Sequence, residues 1–117
     1  MDHNRTLGSA GEEAAWAWYR RAGFHEEARN WRVRGGEIDL IVSKGPLLVV
    51  CEVKTRSTDR FGIPAEAVTW SKQRRLRALA AEWLAAQDRS WPEVRFDVAA
   101  VTPVGGAHRV EVIAGAF

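Results

Sequence analysis

The stretch Gly36-Glu37-Ile38-Asp39-Leu40-Ile41-Val42, followed after a short break by Leu47-Leu48-Val49-Val50-Cys51-Glu52-Val53-Lys54-Thr55-Arg56, decides the reading of this chain. Both runs are short, apolar and β-branched, and Ser43-Lys44-Gly45-Pro46 separates them. Two such runs around a Gly/Pro loop predict a β-hairpin. Three charged residues, Asp39, Glu52 and Lys54, interrupt the apolar runs. A charge in an apolar strand is costly to bury unless it is paired, hydrogen-bonded or bound to metal. Their concentration within sixteen residues points to a site.

Side chains alternate along a strand with period two. Glu37, Asp39 and Ile41 are therefore expected on one face, and Val50, Glu52 and Lys54 on one face of the next strand. If residues 43–46 form the loop, Val42 pairs with Leu47. Asp39 then falls opposite Val50 and Glu37 opposite Glu52, which makes Asp39 and Glu52 diagonal neighbours at roughly 7–8 Å. A one-residue slip would send them to opposite faces. Two carboxylates so placed repel each other, and a hard divalent cation relieves the repulsion. Mg²⁺ favours one or two carboxylates together with water and phosphate oxygens. Bound there, it polarises a phosphate and acidifies a water, while Lys54 stabilises the charge that builds up. Each residue also has an ordinary role open to it: Asp39 capping a turn, Glu52 and Lys54 as a half-exposed polar face, Glu37 paired with Arg34.

Working outward, Ser9-Ala10-Gly11-Glu12 reads as a capping box with Ser9 as N-cap, opening a helix to about Arg21. Ala14, Ala15, Trp18, Tyr19 and Ala22 provide its apolar stripe, and Gly23 ends it. A strand is expected near Asn30–Val33. Residues 55–63 are polar and read as a loop. A second helix starts near Ala65 or after Thr69 and runs to about Ala86, with Leu76, Leu79, Ala80, Trp83 and Leu84 inward. Strands at Val94–Val101 and Arg109–Ile113 flank the turn Pro103-Val104-Gly105-Gly106. The order is αβββαββ, an α/β fold in a single domain, residues 1–117.

The composition is that of a globular domain: 117 residues, 46% hydrophobic and 27% charged. Cys51 is the sole cysteine, which rules out a disulfide framework or a cysteine zinc site within one chain. No apolar run approaches the ~20 residues of a membrane span, and no signal-like apolar region follows Met1. A cytoplasmic protein without membrane contact is expected. The formal net charge is +2, but between Lys54 and Arg77 seven basic residues face only Asp59 and Glu66. That surplus suits a phosphate backbone or, equally, a solvated helix face. The six tryptophans read mainly as packing. Trp31, Trp70 and Trp91 lie near loops or strand ends, where stacking on an unpaired base is the alternative. His3, His25 and His108 lack ligand spacing. Cys51 reads as core, and Asp97 as a structural partner of the neighbouring arginine.

Asp39 with Glu52-Val53-Lys54 resembles the PD-(D/E)xK signature of the restriction-endonuclease-like superfamily, with Ile38 in place of the proline. The longer pattern adds Gly8, Gly11-Glu12, Gly36-Glu37-Ile38-Asp39, Glu52-Val53-Lys54-Thr55-Arg56, Phe61-Gly62 and Arg95-Phe96-Asp97-Val98. It is similar to the YraN-like family of uncharacterised bacterial proteins across nearly the whole chain. That family is in turn similar to archaeal Holliday-junction resolvases, which cut branched DNA as homodimers with Mg²⁺. The resemblance implies a central mixed sheet flanked by helices. It also implies a metal, Mg²⁺ or Mn²⁺, held by Asp39, Glu52 and the Val53 carbonyl, with Lys54 as catalytic lysine and Glu12 completing the site. Lys72 and Gln73 match a region where related nucleases place a supporting polar residue. The expected function is metal-dependent endonucleolytic cleavage of branched or structured DNA, with Arg56, Arg60, Lys72, Arg74 and Arg75 on phosphates; the resolvase likeness suits a homodimer, and the sequence itself leaves the oligomeric state open. Two other expectations stand beside it: a non-cutting nucleic-acid-binding accessory of repair or recombination that keeps the fold, and a small protein-interaction domain in which the charged cluster is structural.

Overall fold

The computed structural model describes residues 3–56 and 68–117. In chain order the elements are α1 (His3–Arg21), β1 (His25–Val33), β2 (Gly36–Lys44), β3 (Leu47–Thr55), α2 (Trp70–Ala85), β4 (Glu93–Val104) and β5 (Ala107–Ile113). This is the expected αβββαββ order. The five strands form one sheet in the sequential order β1-β2-β3-β4-β5. β3 and β4 run parallel, joined through α2, and the other neighbours are antiparallel.

Period-two alternation in the central strands gives the sheet an apolar layer on each face. Leu48 and Val50 of β3 join Phe96 and Val98 of β4 against Leu76, Leu79, Ala80 and Trp83 of α2. Val49, Cys51, Ala99 and Val101 alternate to the other side, against Ala15 and Tyr19 of α1. Strands buried on both faces are continuously apolar, which is why β3 carries so few polar residues before Glu52.

The ends of the helices differ from expectation at one point. α1 begins at His3, six residues before Ser9, so Ser9 lies inside the helix and the capping box does not form. Glu12 is thereby released from any capping role. At the other end the helix closes as expected: Gly23 has φ of +93° and the Phe24 N–H donates to the Tyr19 carbonyl at 3.0 Å. For α2 the later of the two expected starts holds. Thr69 is the N-cap and its side chain accepts the Lys72 N–H. The other expected start, Ala65, lies outside the described residues.

The hairpin register also differs. Lys44 pairs with Leu47 and Val42 with Val49, so the loop is the two residues Gly45-Pro46 and the pairing is displaced by two positions from the four-residue loop. Ser43 and Lys44 look like loop residues, yet both belong to β2. The Ser43 hydroxyl donates to Glu27 at 2.6 Å, and the Lys44 ammonium donates to the Ala22 carbonyl at 2.8 Å while lying 5.6 Å from the Phe24 ring centre. A two-residue displacement keeps each side chain on its face. It removes the diagonal relation of Asp39 and Glu52 and continues the register toward placing them opposite each other.

Candidate active site

The ladder between β2 and β3 ends at Leu40–Cys51. One residue further, the Asp39 carboxylate replaces a backbone acceptor: the Val53 N–H donates to its Oδ2 at 2.9 Å. Here strict alternation also fails, because Ile38 and Ile41, three positions apart, pack into the same cluster. Gly36 just before them has φ of +144° and lies so close to Leu79 that an added Cβ would press on it. Across the sheet, Asn30 of β1 adopts φ of +52°, a left-handed conformation that asparagine tolerates better than most residues. The mouth of the site is thus a place where the sheet opens and side chains take over from the ladder.

Glu12 arrives from α1. Its neighbour Gly11 is buried, and a Cβ there would collide with the Thr55 hydroxyl at the end of β3. The missing side chain lets α1 cross β3 closely enough for Glu12 to reach the opening, where it bonds with the Asn30 side chain. Glu12, Glu37 and Asp39, all half-buried, each offer a carboxylate oxygen within 4.8 Å of the others, a grouping that could hold a metal ion. The donors are all carboxylate oxygens, with no Cys or His among them. Such a set suits a hard cation such as Mg²⁺ or Mn²⁺ rather than a soft one.

The electrostatics agree with crowding of negative charge. Burial pushes the Asp39 carboxyl up to about 7; the nearby Glu52 charge adds to the rise, and the Val53 N–H opposes it. Burial likewise raises Glu12; its Asn30 bond works against that and the Glu37 charge with it.

The other wall is cationic. Glu52 is buried, with its side chain 8% exposed, and its Oε1 lies 2.6 Å from the Lys72 ammonium and 3.6 Å from that of Lys54. Lys54 and Glu52 share a face of β3, as the alternation predicts, and that face meets α2. Burial lowers the Lys54 pKa, and the Lys72 ammonium beside it lowers it further. Burial works most strongly against the charged form of Lys72 too, but its bond to Glu52, with the Glu52 and Asp39 charges, together outweighs this and raises its pKa. A cleft of about 240 Å³ runs between these groups, lined by Gly36, Glu37, Asp39, Glu52, Lys72, Arg75 and Leu76.

The structure therefore gathers Glu12, Asp39, Glu52 and Lys54, and Val53 touches the group through its N–H. Lys72 and Arg75, expected among the phosphate contacts, line the cleft itself. Arg74 stacks on Trp70 instead, with its guanidinium 4.9 Å from the ring centre. The Arg56 N–H bonds the Val101 carbonyl where β3 ends. Arg60 and the Phe61-Gly62 pair lie outside the described residues. Gln73 donates to the Val68 carbonyl at 3.1 Å and supports the helix start. Sequence reasoning gave Glu37 no place in the site; its Arg34 pairing is replaced by one with Arg32 at 2.9 Å. Its place two positions before Asp39 was the available signal: the alternation that puts the two on one face holds, and both carboxylates reach the same group.

The remaining polar residues have structural work. Asp97 is fully buried and accepts from the Tyr19 hydroxyl at 2.7 Å, from Arg95 at 2.8 and 3.0 Å, and from the Gly115 N–H at 3.0 Å. Cys51 is buried as core. Trp31 and Trp91 pack against the α2-side cluster, whereas Trp70 is 69% exposed, so the packing expectation fails for that tryptophan alone of the three. Among the described residues, no helix is long and apolar enough to cross a membrane.

The model of one protein family, described as uncharacterised protein family UPF0102, matches residues 11–101. That span runs from Gly11 into β4 and contains every carboxylate of the cleft. A UPF0102 protein of Rhodococcus opacus (strain B4) is 54% identical over 101 residues, covering 86% of each chain. One of Frankia casuarinae is 50% identical over 112 residues, covering 95% of each, and one of Symbiobacterium thermophilum is 48% identical over 115 residues, covering 97% of this chain and 98% of its own. With half its residues shared over nearly full-length alignments, and with the family model spanning the fold from α1 to β4, the chain belongs to the uncharacterised protein family UPF0102.

Proposed function

We propose that the protein is a metal-dependent endonuclease of the PD-(D/E)xK type acting on branched or otherwise structured DNA. The observation that carries this reading is the meeting of three carboxylates, Glu12, Glu37 and Asp39, beside the Glu52–Lys54 pair at the point where the sheet opens. A stable fold has no use for that many half-buried acids in one place, since each raises the cost of ionising the next. A divalent cation turns the cost into binding energy.

Asp39 and its acidic neighbours would hold Mg²⁺ or Mn²⁺, with Glu52 recruited from the facing strand. When bound, the cation supplies charge for the phosphate and acidity for a water molecule. The protein's own groups do the rest. Lys54 brings an ammonium to the Glu52 side of the cleft, placed to steady negative charge on a phosphate oxygen. Arg75 on the cleft wall, with Arg74 outside it, positions the backbone of a nucleic acid without reading its bases. Specificity then comes from shape, and binding falls with salt.

The test is cleavage of four-way, flapped and linear duplex DNA by purified protein with Mg²⁺ and with Mn²⁺. Cutting that is abolished in Asp39→Ala and in Lys54→Met is the expected result. DNA binding with no cutting of any substrate would make the chain a binding module instead, and no binding at low salt would remove nucleic acid altogether.

A further inference from the structure

Within the cleft, one buried carboxylate oxygen has two ammonium partners. Glu52 Oε1 lies 2.6 Å from Lys72 Nζ and 3.6 Å from Lys54 Nζ. The closer of the two comes from α2 and the more distant from Glu52's own strand. Glu52 also stands outside the group of three carboxylates that lie within 4.8 Å of one another. The helix lysine thus holds the cleft carboxylate that stands apart from that group.

A carboxylate this buried requires a positive partner. A divalent ion would satisfy that need, and so does an ammonium. The two compete, because an ammonium and a divalent ion crowded on one oxygen repel each other. We propose that Lys72 is a built-in substitute for the divalent cation, holding Glu52 when no metal is bound and passing to a phosphate oxygen of the substrate when the metal takes its place. This inference rests on the reading of the cleft as a metal-dependent site.

The mechanics need no movement of the helix. α2 is fixed at its start by the Thr69 cap and along its length by Leu76, Leu79 and Trp83. The lysine stem, with four flexible carbons, carries the ammonium from one partner to the next. Arg75 lines the same cleft, so the freed charge joins a wall that already favours phosphate. Lys54 is a poorer substitute, being a full ångström further from the oxygen. The exchange makes metal and nucleic acid help each other: each displaces Lys72 toward the arrangement the other requires, and such coupling is reciprocal.

Calorimetric titration with Mn²⁺ tests the idea without turnover. Lys72→Met is expected to bind Mn²⁺ about tenfold more tightly than wild type, because the competitor is gone. Lys72→Gln should behave alike and guards against misfolding of one variant, whereas Lys72→Arg should show no gain. The second readout is the affinity of labelled four-way DNA by anisotropy with and without saturating Ca²⁺, whose weaker fit is offset by concentration, with the DNA checked as intact afterwards. Wild type should gain affinity with the ion, and Lys72→Met should lose most of that gain. If wild type binds Mn²⁺ and both neutral variants bind it equally or more weakly, the substitution role is wrong while the metal site stands. If neither wild type nor variants bind Mn²⁺, the metal site and this role fall together.

Discussion

Replacing Asp39 by Asn should make the folded protein more stable in alkaline solution, although it removes the central acid of the cleft. Burial and the Glu52 charge lift the Asp39 carboxyl from 3.8 to about 7. Its folded pKa is therefore above the unfolded one, and the folded state holds the proton more tightly. Stability linked to this group is present below the unfolded value and is lost as pH rises through the folded one. At about 1.4 kcal/mol per unit, ionising Asp39 in place costs on the order of 4 kcal/mol once pH exceeds 7 and roughly 1.5 kcal/mol at pH 5. Asparagine has nearly the same shape, keeps an oxygen for the Val53 N–H, and presents an N–H₂ to the neighbouring carboxylates. The expected gain over wild type is on the order of 3 kcal/mol at pH 8, shrinking below about 1 kcal/mol at pH 4. Urea unfolding in EDTA across that range measures it. Mn²⁺ should reverse the order at pH 8, stabilising wild type through binding and leaving Asp39→Asn nearly unchanged. A variant less stable than wild type at pH 8 in EDTA, or a gain that does not vary with pH, would refute the electrostatic reasoning.

Gly11→Ala should destabilise the fold by roughly 1–3 kcal/mol through collision with Thr55, and Thr55→Ala in the same chain should recover part of the loss in denaturant titrations. Asp97→Ala should cost about 3–5 kcal/mol, since it strands the Arg95 guanidinium and leaves the buried Tyr19 hydroxyl without its acceptor; an unfolding midpoint near that of wild type would contradict it. Trp70→Ala should fold as wild type does, its side chain being largely exposed. The same variant should bind DNA with unpaired bases roughly 5- to 100-fold more weakly, with duplex binding little altered, as read by anisotropy.

The order of elements was legible because the apolar runs of β3, β4 and α2 have clear periods and their ends carry Gly, Pro and Thr signals. The pairing of β2 with β3 was legible only to within two residues. Ser43 and Lys44 look like loop, and what holds them in a strand is Glu27 and the Ala22 carbonyl, both far away in sequence. The face of Glu52 and Lys54 survived this because a displacement by two preserves parity. Ser9 misled for a related reason: a plausible cap is only a local preference, and α1 continues through it. The site was half visible. Asp39, Glu52 and Lys54 stand out as charges within apolar strands, and Glu37 shares the face of Asp39 by alternation, but Asn30 joins through a left-handed residue on β1 and the bond from Lys72 to Glu52 through a helix packed across the sheet. Neither of these two contacts has a local signature.

The bond from the Val53 N–H to Asp39 bears on how an ion would be held. The fold has already engaged one lone pair of Oδ2 with a peptide N–H, which leaves Oδ1 the freer oxygen to face an incoming ion. Asp39 would therefore favour one-point ligation, its direction set by the backbone of the adjoining strand. That disfavours the two-oxygen grip that large, loosely coordinated Ca²⁺ accepts and matches the strict octahedron of a smaller ion. Selectivity between these ions would then be written into main-chain hydrogen bonding, outside the reach of most side-chain substitutions.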